Sequence, residues 1–197
     1  MPRTGLTPAQ IKEKVILSAE KKIRASGADK MRLVDVAKDV GIAHTGLYKH
    51  FNDRDELLDS ISKKWTSSVD AALAKIAEKP DSPTKLLGEL FLTLHRMKRS
   101  RVANDLELFK VFDMAAESKK PFIAQHISNI CNVVLKLVKR AIKEDEFKKA
   151  PAKLLTEHLL EVTRGFTHPK LVFQYIGVDR EPALRQTLKL AFRGLKE

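Results

Sequence analysis

The sequence predicts an all-α protein, and three observations lead there. Apolar residues recur at helical spacing along nearly all of the 197 residues, β-branched alternation is almost absent, and only eight glycines and eight prolines punctuate the chain. The chain is long enough for one or two domains with a sizeable core.

Thr7-Pro8-Ala9-Gln10 opens the first helix, with a hydroxyl to cap, proline at the first helical position and glutamine to close a capping box. Ile11, Val15, Ile16, Ala19 and Ile23 form its apolar stripe, lysines and Arg24 dominate the rest, and Gly27 ends it. Leu33, Val36, Ala37 and Val40 carry a second helix. Gly41 follows where the backbone needs a residue that tolerates a left-handed conformation. A third helix is expected from about His44 to Phe51, with Leu47 and Phe51 one turn apart on its inner side. Its outward residues, His44, Thr45, Tyr48, Lys49 and His50, are donors and acceptors without an acid, a set that suits base edges and phosphates. The second and third helices read as a helix-turn-helix. The basic first helix is placed either to set its N-terminus on a phosphate backbone or simply to be solvated.

Asp53 and Glu56 form a second capping box that opens a long fourth helix, with Leu57, Leu58, Ile61, Trp65, Val69, Leu73 and Ile76 inward. Lys79-Pro80-Asp81-Ser82-Pro83 is the one evident linker. The expected organisation is therefore a helix-turn-helix domain over 1–52, a connecting helix over 53–79 that starts in that domain, and a larger helical domain over 80–197. In the last, helices are expected over 84–99, 103–118 and 120–143. The apolar arc of the third is too broad for a surface helix, so it should run through the core. Two more follow, over 150–177 with a kink at His168-Pro169, and over 180–195.

The formal charge is +12. Residues 1–65 hold 13 Lys+Arg and nine Asp+Glu, a net of +4, so +8 lies beyond the helix-turn-helix, partly in the cluster 95–101, read as solvated surface. The single cysteine, Cys131, excludes an intramolecular disulfide and a cysteine-rich zinc site. Residues 1–10 lack a signal-peptide pattern and no apolar run approaches the ~20 residues of a membrane span, so a soluble cytoplasmic protein is expected. No metal or cofactor is expected. Catalysis finds no support: there is no Gly-rich phosphate loop, nucleophile elbow or HExxH, and His158 and Glu161 stand in the wrong order for a bundle di-iron site.

The successive pieces VDVAKDVGI, GLYKHF and NDRDELL resemble the N-terminal domain of the TetR family of bacterial transcriptional regulators, closely over the first third of the chain and in architecture alone beyond it. The resemblance implies that the Tyr48 hydroxyl meets a phosphate. It assigns base reading to His44, Thr45, Gly46 and Lys49, and backbone positioning to Arg32, Tyr48, His50 and Arg54. This chain departs from the family at Met31-Arg32, where a hydroxyl is usual, at Ala43, where a serine normally caps the recognition helix at a benefit of about 1 kcal/mol, and at His44, which replaces a permanent cation. Gly46 costs about 1 kcal/mol inside a helix relative to alanine, which fits either a close approach to DNA or close packing within the domain.

The family further implies a fourth helix that transmits motion and an effector-binding and dimerisation domain. Polar and aromatic residues that could line its ligand pocket are Phe91, His95, Phe109, Phe112, His126, Asn129, His158 and Phe166. Leu159, Phe166, Leu184, Leu188, Phe192 and Leu195 are the candidates for a twofold homodimer interface between C-terminal helices. The function so implied is a sequence-specific DNA-binding transcriptional regulator, a repressor bound to a palindromic double-stranded DNA operator and relieved by a small-molecule effector. The rival expectations are a nonspecific DNA-binding protein, favoured by the spread of positive charge, and a regulator that needs no effector.

Overall fold

The computed structural model describes residues 5–196, so Met1–Thr4 of the leading stretch lie outside the described residues. Ten helices and no strand occur among them. By packing, the chain divides into two compact units, one comprising residues up to Trp65 together with Asp105–Lys119, the other Thr66–Asn104 and Lys120 onward.

In the first unit, α1 (Pro8–Ser26) starts at the expected capping box: Gln10 N–H donates to Thr7 Oγ1 at 3.3 Å and Thr7 N–H to Gln10 Oε1 at 2.8 Å. Then come α2 (Leu33–Val40), α3 (His44–Leu47) and the first part of α4 (Arg54–Ala77). The start of α4 carries a variant of the capping box, in which Glu56 N–H donates to Asp53 Oδ1 while the Glu56 carboxylate reaches back to the N–H of Asn52. Val15, Ala19, Ile23, Val36, Ala37, Leu47, Phe51, Leu57 and Ile61 form one buried cluster.

That cluster is completed by a helix distant in sequence. α5 (Pro83–Asn104) ends at Asn104, and after a break at Asp105 the chain forms α6 (Leu106–Glu117), whose Leu108 and Val111 enter the N-terminal core. Arg24 on α1 holds the turn, with Nε at 2.5 Å and Nη2 at 3.3 Å from the Asp105 carboxylate. The sequence reading grouped this helix with the larger domain. Periodicity defines which face of a helix is apolar, but carries no information about which core receives it.

The second unit is built from the remainder of α4 with α5, α7 (Pro121–Lys143), α8 (Ala152–Thr167), α9 (Pro169–Gln174) and α10 (Glu181–Lys196). α7 packs against both α5 and α8 and buries Val134, Leu137, Val138 and Ala141, in line with its broad apolar arc. The expected kink at His168-Pro169 is a full break between α8 and α9. Pro169 has no N–H to give the carbonyl of Gly165, and the extended His168 turns the chain away from those of Phe166 and Thr167. Side chains take over all three: Arg180 Nη1 donates to Gly165 O at 2.7 Å, His95 Nδ1 to Phe166 O at 2.8 Å and Lys98 Nζ to Thr167 O at 2.6 Å.

Candidate nucleic-acid interface

α2 ends at Gly41 in the left-handed region (φ 74°, ψ 30°), with its N–H bonded to the carbonyls of Ala37 and Lys38. An added Cβ at Gly41 meets nothing within 4 Å, so the glycine is required by its backbone angle and not by space. Two residues later Ala43, extended and with no side-chain cap, starts α3.

The third helix, α3, is shorter than the sequence suggested. Regular α-helix covers only His44–Leu47, and the chain continues to Phe51 through turn bonds from Lys49 N–H to Gly46 O (3.3 Å) and from His50 N–H to Leu47 O (2.9 Å). The missing cap and the interior glycine both remove helix stability, so tertiary packing has to supply it. Leu47 and Phe51 do so, both fully buried beneath the turn.

His44, Thr45, Tyr48 and Lys49 are exposed, and His50 and Gly46 are half-buried. The His44 and Tyr48 rings meet edge to face, 5.2 Å between centroids. A Cβ built on Gly46 meets nothing within 4 Å, which removes the account in which that glycine allows close packing inside the domain. Arg32 is exposed and bonded through Nε (2.8 Å) and Nη2 (3.2 Å) to Asp35, whose carboxyl this hydrogen bond holds below its ordinary pKa. Arg54 is partly committed, since its Nη2 donates to the carbonyl of Ala28 and ties α4 to the α1–α2 loop.

Arg32, His44, Tyr48 and Arg54 converge on an open groove of about 520 Å³, floored by Met31, Leu33 and Val34 and edged by Asp29. Four of the eight residues selected from the sequence thus share one concavity, while Thr45, Gly46, Lys49 and His50 lie outside its lining on or just after α3. Guanidinium, imidazole and phenol groups in one groove, with the exposed Lys49 ammonium just after α3, give hydrogen-bond donors for phosphate together with donors and acceptors for base edges.

The pocket residues chosen from sequence are dispersed. Phe109 and Phe112 belong to α6 in the first unit, where Phe112 packs edge to face on Trp65 with centroids 4.7 Å apart. His158 points to solvent from α8. Phe91, His95, His126 and Phe166 are buried in the second unit, and Asn129 is half-buried beside them. There they form a polar core: Asp70 binds His126 Nδ1 through one carboxylate oxygen (2.5 Å) and Asn129 Nδ2 through the other (2.7 Å). Burial, with Lys98 adding to it, pulls the His126 pKa below its ordinary value against the opposing pull of Asp70.

Lys98 and Asp70 were missed. Lys98 was read as solvated surface, but it is only 7% exposed, and burial pulls its pKa down to about 8 with no carboxylate among the described residues to offset the effect. A signal existed: Leu87, Phe91, Leu94, Lys98 and Val102 follow one another at three- and four-residue steps, the spacing of a single buried face.

The dimer residues taken from sequence also need correction. Leu159, Phe166, Leu184, Leu188 and Leu195 are buried within the protomer. Phe192, half-buried, lines with Gly88, Leu92 and Leu188 an open groove of about 370 Å³ between α5 and α10. The strongest apolar stripe of an amphipathic helix goes to its own core first. What α8 and α10 leave outside is different: Leu154, His158 and Val162 at four-residue steps on one, and Ala183, Leu190 and Gly194 on the other.

Among the described residues no helix is long and apolar enough to cross a membrane, and no group of three His, Cys, Asp or Glu is placed to hold a metal ion.

A family model described as "Tetracyclin repressor-like, C-terminal domain" matches residues 83–185. No curated protein sequence matches significantly. Among solved structures, a protein with unknown function from Rhodococcus sp. RHA1 is similar with a TM-score of 0.71 at 18% identity, over 100% of both chains. A TetR/AcrR-family transcriptional regulator from Thermobifida fusca YX-ER1 gives 0.69 at 16% identity, over 94% of this chain and 98% of that one. The transcriptional regulator FadR from Bacillus subtilis, solved in complex with stearoyl-CoA, gives 0.65 at 16% identity, over 92% and 98%. Likeness at these identities concerns the fold alone.

Proposed function

Because the chain belongs to the TetR family of transcriptional regulators, we propose that it is a sequence-specific repressor that binds a palindromic operator as a homodimer and is released from it by a small-molecule effector held in the second unit. The observation that carries the reading is the α2–α3 face. Arg32, His44, Tyr48 and Arg54 line one groove, Thr45 and Lys49 stand exposed beside it, and Leu47 and Phe51 fix the short helix from below. Such a face fits the major groove, with Tyr48 and Arg32 on phosphates and His44, Thr45 and Lys49 toward base edges.

Gly46 provides a test with two readouts of opposite sign. Since its Cβ direction is open, Gly46→Ala is expected to stabilise the free protein by about 0.5–1 kcal/mol in urea unfolding. If the backbone there approaches DNA closely, the same variant binds operator more weakly. Equal or tighter operator binding by a stabilised variant would remove Gly46 from the interface.

Twofold symmetry would present two recognition helices about one helical turn of DNA apart or a near multiple of it. The outward stripes of α8 and α10 supply the self-complementary surface: Leu154 and Val162 are 44% and 46% exposed, and Leu190 67%. Small residues flank Leu190 on its own helix and allow close approach of a partner helix. Leu190→Glu, which removes no core contact, is expected to yield a folded monomer in sedimentation velocity. A dimer of unchanged stability would move the interface elsewhere.

Release requires the effector to favour the protomer arrangement that does not fit the operator, and linkage then obliges operator DNA to weaken effector binding by the same factor.

A further inference from the structure

We infer that the effector is a small organic acid that also carries a hydroxyl group, its carboxylate pairing with Lys98 and its hydroxyl donating to a buried imidazole. The inference rests on the regulator reading above and names the ligand class of its second unit.

Lys98 is a buried ammonium with three N–H donors, one of which is taken by Thr167 O. A cation in that position is stabilised chiefly by an anion, and the described residues bring none to it. Two further groups are incomplete. His95 is 3% exposed and His126 is 3% exposed, and Nε2 of each is buried with no hydrogen-bond partner. Their Nδ1 atoms face acceptors, the Phe166 carbonyl and the Asp70 carboxylate, so each Nδ1 carries the proton. In the neutral ring Nε2 is then an acceptor, and its complement is a hydroxyl or other donor, not a second carboxylate.

His95 and Lys98 are one turn apart on α5, and α7, which packs against α5, carries the buried His126, whose pKa the Lys98 charge helps to lower. The Asp70 carboxylate is already engaged by His126 and Asn129. One cation and two acceptors inside a helical core therefore call for a ligand with one negative group and at least one hydroxyl. Such a ligand would also act on α8, because His95 and Lys98 hold the last two carbonyls of that helix, which carries part of the outward stripe.

The test is calorimetric titration of the full-length protein at pH 7 with 2-, 3- and 4-hydroxybenzoate and with 2-hydroxyhexanoate and 6-hydroxyhexanoate. Each is compared with its primary amide and with the parent acid lacking the hydroxyl. At least one hydroxy acid is expected to bind saturably, about tenfold or more tighter than its amide and measurably tighter than the parent acid. Lys98→Met should abolish the preference for acid over amide, and His126→Phe the preference for the hydroxyl. No saturable binding across the series, equal binding of acid and amide, or an undiminished acid preference in Lys98→Met would each overturn the site. These titrations contain no DNA, so their outcome is independent of whether the protein binds an operator. Selective acid binding that leaves operator affinity unchanged would overturn the role as effector while leaving the site in place.

Discussion

Lys98→Met is expected to make the protein more stable at pH 7, by about 2 kcal/mol in urea unfolding. Burial lowers the ammonium from its ordinary 10.5 to about 8, and a shift of that size corresponds to about 3 kcal/mol against the folded state. Loss of the bond to Thr167 O returns about 1 kcal/mol. Methionine keeps the volume and the apolar stem. The sign follows from the depressed pKa. The penalty is fully present below pH 8, where the folded state must hold a buried charge, and it vanishes as pH rises toward 10.5, because over that range the unfolded chain binds more protons than the folded one. The native protein should therefore gain stability between pH 8 and 10.5 from this group, and the advantage of the methionine variant should shrink over the same range. A variant less stable than the parent at pH 7 would mean that Lys98 is paired in solution.

Phe51→Ala is expected to cost about 3–5 kcal/mol, a large share of the total for a domain of this size. The ring is 2% exposed and closes the turn that follows α3, with the Lys12 ammonium 5.7 Å from its centroid. Its removal takes away one of the two anchors of an uncapped helix of four residues, so operator binding should fall with it. Tyr48→Ala offers the contrast. That side chain is 47% exposed, and the variant should unfold within about 0.5 kcal/mol of the parent while binding operator more weakly. Destabilisation by Phe51→Ala of less than 1 kcal/mol would contradict the packing described.

The features read correctly from the sequence are those set by local chemistry. Thr7 and Gln10 cap α1 by hydrogen bonds three residues apart, and Gly41 meets a backbone angle that other residues resist. Pro169 was legible as an interruption, but it ends α8 outright where only a kink was expected. Leu47 and Phe51 were legible as buried because four-residue spacing defines a face. The same spacing put His44, Thr45, Tyr48 and Lys49 on the outer side, where they are exposed; their assignment to DNA remains a proposal that rests on that face and on the family resemblance. What escaped depends on tertiary partners. The period of α6 is the same whichever core it joins, and Asp105 with Leu108 ties it to the first unit. Leu184 and Leu188 form the strongest stripe of α10 and hence its own core, while Leu190 is left as an exposed apolar residue, which is why the proposed dimer contact moves to it. Composition favours solvent for any lysine, and the spacing that buries Lys98 was outweighed by the basic residues around it.

The central claim is sequence-specific operator binding. The most direct measurement is binding of the purified protein to its own upstream intergenic DNA and to scrambled DNA of equal length, at one physiological salt concentration, followed by a genome-wide selection of bound fragments. The account predicts saturable binding of one or two dimers to a palindrome, at least about 10³-fold tighter than to unrelated sequence. Selected fragments that share no sequence, bound with equal affinity across DNAs, would contradict it and leave a nonspecific DNA-binding protein in its place.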